Sequence, residues 1–141
     1  MTMLVPSILL RRALVLDALA SGGTGVLTAA GAGILSRLGN LPEPLLAYSG
    51  LSLLPFAAII GLLARRDVLP AAIVWAVIAY NALWSIDSIV LLLSGWIAPN
   101  AFGFVFVIGQ ALVVAVLAEC QYMGLSRSRA IASAVTGYRP T

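Results

Sequence analysis

The chain has 141 residues, 62% of them apolar and only 9% charged, with a net charge of +3. A soluble domain has roughly 45–50% apolar and about 25% charged residues. Together with a mean hydropathy of +1.08, this excludes a soluble enzyme, a disulfide scaffold, a disordered tail and a coiled coil, and leaves a membrane protein of several spans.

In chain order, residues 1–12 hold Pro6 and end in Arg11 and Arg12; they are read as an interfacial segment. Four apolar runs follow at about 13–35, 45–64, 69–94 and 101–123. Each is close to the ~20 residues that cross a ~30 Å hydrocarbon core as a helix. The first run follows a basic pair, as a signal peptide does. Its length, its Asp17 and the three later runs make it a retained span. Short connections at 38–42, 65–67 and 95–100 predict antiparallel neighbours. Residues 126–141 are a basic tail. There Ile131, Ala134 and Val135 fall at helical spacing, as in a short interfacial helix, and 137–141 is expected to be disordered.

Arginine carries all the positive charge, and its placement sets the orientation. Arg11, Arg12, Arg65, Arg66, Arg127, Arg129 and Arg139 fall on one side of the runs and Arg37 alone on the other. The positive-inside rule then puts both termini in the cytoplasm. Trp96, Phe102 and Tyr48 mark the outer boundary, Trp75 and Tyr122 the inner one. The expected fold is all-α: a transmembrane four-helix up-down-up-down bundle over 13–125. Arginine without lysine, amid abundant Ala, Leu and Val, reads as a bacterial composition, hence an inner-membrane protein. Because the arginines mark span ends, they point to the lipid bilayer and to no nucleic acid.

The missing residue types narrow the chemistry. There is no histidine, no lysine and one cysteine, Cys120. An imidazole base, a Schiff-base amine and a thiol redox pair are therefore excluded. No metal site, no cofactor and no catalytic residue is expected. Cys120 reads as an ordinary small apolar side chain.

Polar residues inside the runs need a reason. The first run has a ridge at i+4 spacing, Asp17, Ser21, Gly25, Ala29 and Gly33, which reads as a close-packing face or a dimer seam. Pro55 in the second run predicts a kink. In the third, Asn81, Trp84, Ser85 and Ser88 share a face, and Asp87 borders it. The fourth carries Gln110 and Glu119, and its Phe102, Phe104 and Phe106 read as a lipid-facing belt with one packed ring. By depth, Thr24, Ser52, Asn81 and Gln110 fall near the midplane. Asp17 and Glu119 fall one turn inside the cytoplasmic boundary, within reach of Arg12, Arg66 or Arg127. Asp87 falls in the outer third, where Arg37 is the only basic residue on its side. The candidate functional residues are Asp87, Asn81, Trp84, Gln110, Asp17 and Glu119, with Arg37, Arg12, Arg66 and Arg127 as counter-ions. A plain structural role competes at each of them: amides that bridge helices and acids that meet arginines at the interface.

The stretches Asn81-Ala82-Leu83-Trp84, Leu93-Ser94-Gly95-Trp96-Ile97-Ala98-Pro99, Gln110-Ala111 and Ala118-Glu119-Cys120-Gln121-Tyr122-Met123-Gly124-Leu125 resemble a group of small, uncharacterised bacterial four-span membrane proteins. The resemblance runs from Arg12 to Leu125 and implies the four-helix architecture without an activity. Small multidrug-resistance transporters and fluoride channels also have four spans. The residues around Asp17 do not reproduce the glutamate motif of the first, nor Phe102 to Phe106 the phenylalanine spacing of the second. The leading expectation is a non-catalytic accessory or interaction subunit that binds a membrane-protein partner or forms a homo-oligomer. The alternative is a small oligomeric proton- or cation-linked transporter or channel.

Overall fold

A computed structural model describes residues 2–136, with side-chain surroundings as far as Ala132. The expectations for Ala134, Val135, Arg139 and 137–141 concern side chains or residues outside that description. Among the described residues the order is β1 (Met3–Leu4), α1 (Ile8–Ala30), α2 (Ala32–Gly39), α3 (Glu43–Ala64), β2 (Leu69–Pro70), α4 (Ala71–Leu93) and α5 (Ala101–Thr136). Four of these helices are long and apolar enough to cross a membrane, with hydropathies of 1.4, 1.9, 1.8 and 2.5 for α1, α3, α4 and α5.

The helix ends follow from local chemistry. Ser7 caps α1: its hydroxyl accepts from Leu10 N at 3.2 Å, donates to Gly124 O at 2.8 Å, and so ties the cap to α5. Ser128 donates to the same carbonyl at 2.8 Å, while its hydroxyl accepts from Ser7 N at 2.8 Å. Helix α1 therefore starts five residues before the expected span and takes Arg11 and Arg12 into its first turns. Gly31 interrupts the first run, and α2 carries it on. Asn40 then ends α2 in the left-handed conformation, φ 50°, which asparagine tolerates better than most residues. Pro42 and Pro44 precede and open α3, where an N–H would be unpaired anyway. Helix α3 is continuous through Pro55, and Pro55 lies on its exposed side. Ser52 donates to Ser49 O at 2.8 Å rather than to the freed Leu51 carbonyl. At the far end α5 runs on past 123 to Thr136 without a break. Its 36 residues make a rod of about 54 Å, longer than a hydrocarbon core.

Two knots hold the ends. At one, Met3 pairs with Pro70 and Leu4 with Leu69 in a short antiparallel ladder, and Ala71 N donates to Thr2 O at 2.9 Å. Part of the segment read as interfacial is thus paired with the second connection, and the rest opens α1. Arg11 donates to Ala64 O at 2.9 Å and to Arg66 O at 3.1 Å. A guanidinium there satisfies the last carbonyls of α3 and complements its dipole. Asp67 lies 3.7 Å from Arg11 but is 99% exposed, so this pair adds little. At the other knot, Asn40 Nδ2 donates to Ala98 O at 2.7 Å, Asn100 Nδ2 to Leu38 O at 2.7 Å, and Asn100 N to Gly39 O at 3.1 Å.

Helix α1 packs along α3 on one side and α5 on another, and α4 packs on α5. Helices α3 and α4 have little close backbone approach. Rings bridge that gap: Phe56 stacks on Tyr80 with centroids 4.0 Å apart. The apolar core is in two parts. One gathers Leu10, Leu14, Ile60, Leu69, Val74 and Leu125. The other gathers Ala32, Leu35, Leu41, Leu46, Ile97 and Val107 near the second knot. Buried polar side chains collect between them.

Candidate functional site

Of the ridge on the first run, Asp17, Ser21 and Gly25 are buried on α1. The face expected on the third run is inward as well, since Asn81, Ser85 and Ser88 are buried on α4. On α5 Val107, Ala111, Ala118, Gln121, Leu125 and Ser128 are buried and Val114 half-buried, a repeat of three or four residues. These three faces meet.

Asp17 has no exposed surface, and lies nine residues from the start of α1, or about 13 Å along the axis. Its Oδ2 accepts from Asn81 Nδ2 and from Gln121 Nε2, both at 2.6 Å, and its Oδ1 accepts from Ser21 Oγ at 2.9 Å. Asn81 Nδ2 also donates to Gln121 Oε1 at 3.1 Å. Three helices are joined through one carboxyl group. Every partner is a donor, which suits a carboxylate, an acceptor only.

A second tier lies along the seam of α4 and α5. Trp84 Nε1 donates to Gln110 Oε1 at 3.0 Å, and Gln110 Nε2 to Ser88 Oγ at 3.2 Å. Ser85 Oγ reaches Ala111 O at 2.9 Å and Asn81 O at 3.1 Å. No fully enclosed side-chain nitrogen or oxygen among the described residues lacks a partner. Bonds of this kind inside a bilayer average about 0.6 kcal/mol, up to about 1.7.

Beside the Asp17 group is a cavity of about 100 Å³ lined by Ser21, Thr24, Asn81, Trp84 and Gln110 with Tyr80, Leu53, Val113 and Val114. A second, of about 70 Å³, shares Thr24, Leu53, Trp84 and Gln110 with it and extends to Thr28, Ser49 and Ser88. The Trp84–Gln110 pair stands between the two.

The structure thus brings Asp17, Asn81, Trp84 and Gln110 into one layer, and Asp87 and Glu119 lie outside it. Both acids are exposed on the outer surface of the chain. Asp87 is six residues from Asn81, about 120° away around the helix, and Glu119 is two residues from Gln121, about 160° away. Asp87 borders an open hollow with Val90, Leu91, Ser94 and Trp96. The arginines do not meet the acids as expected. Arg37 donates to Gly33 O at 3.1 Å, on its own helix. Arg12, Arg66 and Arg127 are exposed, and among the described residues none pairs with Asp17, Asp87 or Glu119. Asp17 turns inward because α1 begins early and its polar ridge faces α4 and α5.

Gln121 and Ser21 complete the layer. Gln121 follows Gln110 by eleven residues, three helical turns, so the spacing alone puts them on one face. It stands next to Tyr122 at the end of an apolar run, and nothing in its local sequence marks this role. No three His, Cys, Asp or Glu side chains come together among the described residues. Compared with protein-family models, curated proteins and solved structures, the chain matches none.

Proposed function

We propose that the chain is a multi-pass protein of the bacterial inner membrane that serves as a non-catalytic accessory or interaction subunit. Its bundle runs up-down-up-down, which the two knots support: one gathers residues 2–4, 64–71 and 124–128, the other 38–41 and 98–100. With the arginines gathered on the first side, both termini are cytoplasmic. The resemblance to small bacterial four-span proteins favours the same location. That it is non-catalytic rests on the residue inventory, which lacks histidine and lysine.

The observation that carries this reading is the outward placement of Asp87 and Glu119 on spanning helices. A carboxyl group facing lipid costs up to about 2.5–3.5 kcal/mol at the bilayer centre and less toward the boundaries, where these two acids lie. Donors from an adjoining membrane protein offset that cost. The test is native mass spectrometry of the chain extracted from its own membranes in mild detergent. A distinct partner is expected with the native chain, reduced at least fivefold by Asp87→Leu or Glu119→Leu. A chain that is monomeric in lipid, with or without those changes, overturns the proposal.

The two adjoining cavities favour a second reading, a small oligomeric proton- or cation-linked transporter or channel. There Asp17, beside the cavity, is the acid that matters. Ion-linked uptake into proteoliposomes that Asp17→Asn abolishes and Asp87→Asn spares is the expected result. An absence of flux from the native chain removes this reading.

A further inference from the structure

The larger cavity has a mixed lining. Ser21 and Thr24 of α1 and Asn81 of α4 bring polar groups to it, while Leu53 of α3 and Val113 and Val114 of α5 bring hydrocarbon. Asn81 is 1% exposed and spends both amide hydrogens, on Asp17 and Gln121. Among the described residues nothing donates to its Oδ1 or to the Thr24 hydroxyl, and both residues line the cavity. An amide oxygen that keeps a little exposure at a cavity and accepts nothing from the chain can take a donor from a ligand. Directly behind Asn81 is Asp17, which has three hydrogen bonds but no cationic side chain in contact. Negative charge that is bonded but not balanced, in a low-dielectric interior, favours a positive charge nearby.

Size and lining narrow the class. A volume of about 100 Å³ corresponds to roughly three waters at ~30 Å³ each, and is smaller than the ~150 Å³ cavity that admits benzene. A bare metal ion surrounds itself with oxygen ligands, and most of this wall is hydrocarbon. We propose that the cavity is a binding site for a small amphipathic organic cation, a short-chain primary ammonium. Its N–H groups donate to Asn81 Oδ1 and the Thr24 hydroxyl, and its alkyl body lies against Leu53, Val113 and Val114. Asp17 supplies the counter-charge from behind. The assignment holds whether or not the ligand crosses the membrane, and does not depend on the subunit role above.

Trp84 lines the cavity and serves as the reporter. The full-length chain carrying Trp75→Phe and Trp96→Phe, in lipid nanodiscs at pH 7, is titrated with ethyl-, propyl- and butylammonium and with alcohols of the same length. The ammonium ions are expected to change Trp84 emission saturably, with a Kd at least tenfold below that of the matching alcohol. Asp17→Asn should erase most of that preference. Thr24→Val, which spares the Asp17 bonds, should weaken ammonium binding several-fold. Ala20 also lines the cavity, and Ala20→Leu, which fills it, should abolish saturation. Helical circular dichroism checks each variant, and if Asp17→Asn is unfolded the Thr24→Val and Ala20→Leu results decide. Equal Kd values for ammonium and alcohol, no saturable change, or full binding by Ala20→Leu overturns the assignment.

Discussion

Asp17 holds amide groups from α4 and α5 and a hydroxyl from α1 on two oxygens, so its removal leaves buried donors without an acceptor. Such donors cost about 1–3 kcal/mol each where nothing else satisfies them, and membrane-embedded bonds run lower, near 0.6–1.7. Asp17→Ala should therefore destabilise the bundle by about 2–4 kcal/mol, measured by reversible unfolding in mixed micelles. Asp87 predicts the reverse. Its carboxyl group bonds to nothing among the described residues, so Asp87→Leu should leave the isolated chain as stable as before, within about 0.5 kcal/mol, or more so. A large loss of stability from Asp87→Leu in the monomer would mean an intrachain partner for that acid. The two acids look alike in the sequence, each alone in an apolar run. They are separated by which way the helix turns.

Glycine decides how near two of the helices come. A Cβ on Gly50 would collide with the Ala29 amide nitrogen and sit 2.5 Å from Thr28 Oγ1 and 2.7 Å from Gly25 O. Gly50 is thus where α3 presses its backbone into α1, the small-residue packing that serves helices in lipid. Gly109, in α5, has nothing within 4 Å of such a Cβ. Gly50→Ala should cost about 1–3 kcal/mol through overpacking, whereas Gly109→Ala should be neutral or stabilise by up to about 1 kcal/mol through helix propensity. Thermal unfolding of the pair checks both, and equal midpoints would contradict the close approach of α1 and α3. Proline shows the same dependence on position. Pro55 faces outward on an unbroken α3, so the proton it lacks is missing from the outer side of the bundle and opens no interior site.

At the scale of the molecule, the two knots gather residues 2–4, 64–71 and 124–128 at one place and 38–41 and 98–100 at another, and the proposed layout puts the first of them on the cytoplasmic side. In a Cys120→Ala background, Ser94→Cys should react with an impermeant maleimide added outside intact cells. Val68→Cys should react only after the membrane is breached. Labelling of Val68→Cys from outside would invert the layout. Along the axis the chain alternates apolar, polar, apolar: the core around Leu10 and Ile60, the layer from Asp17 to Gln110, then the core around Leu35 and Val107. The middle layer offers hydrogen-bonding groups to a ligand inside the bundle.

Composition and hydropathy determine four membrane-length helices, because crossing hydrocarbon demands about twenty apolar residues with every backbone group bonded within the segment. Spacing also determines that Asn81, Ser85 and Ser88 share a face and that Gln110 and Gln121 share another. What periodicity leaves open is the partner of each face and the rotation of each helix against its neighbours. Asp17 reads as an interfacial acid near Arg12 until α1 is seen to begin at Ile8 and to aim that residue at Asn81 and Gln121. Asp87 reads as the isolated interior acid until α4 turns it outward. Contacts between helices set those rotations. They join residues 64 and 104 positions apart in the chain, and the pattern along any one helix carries no record of them.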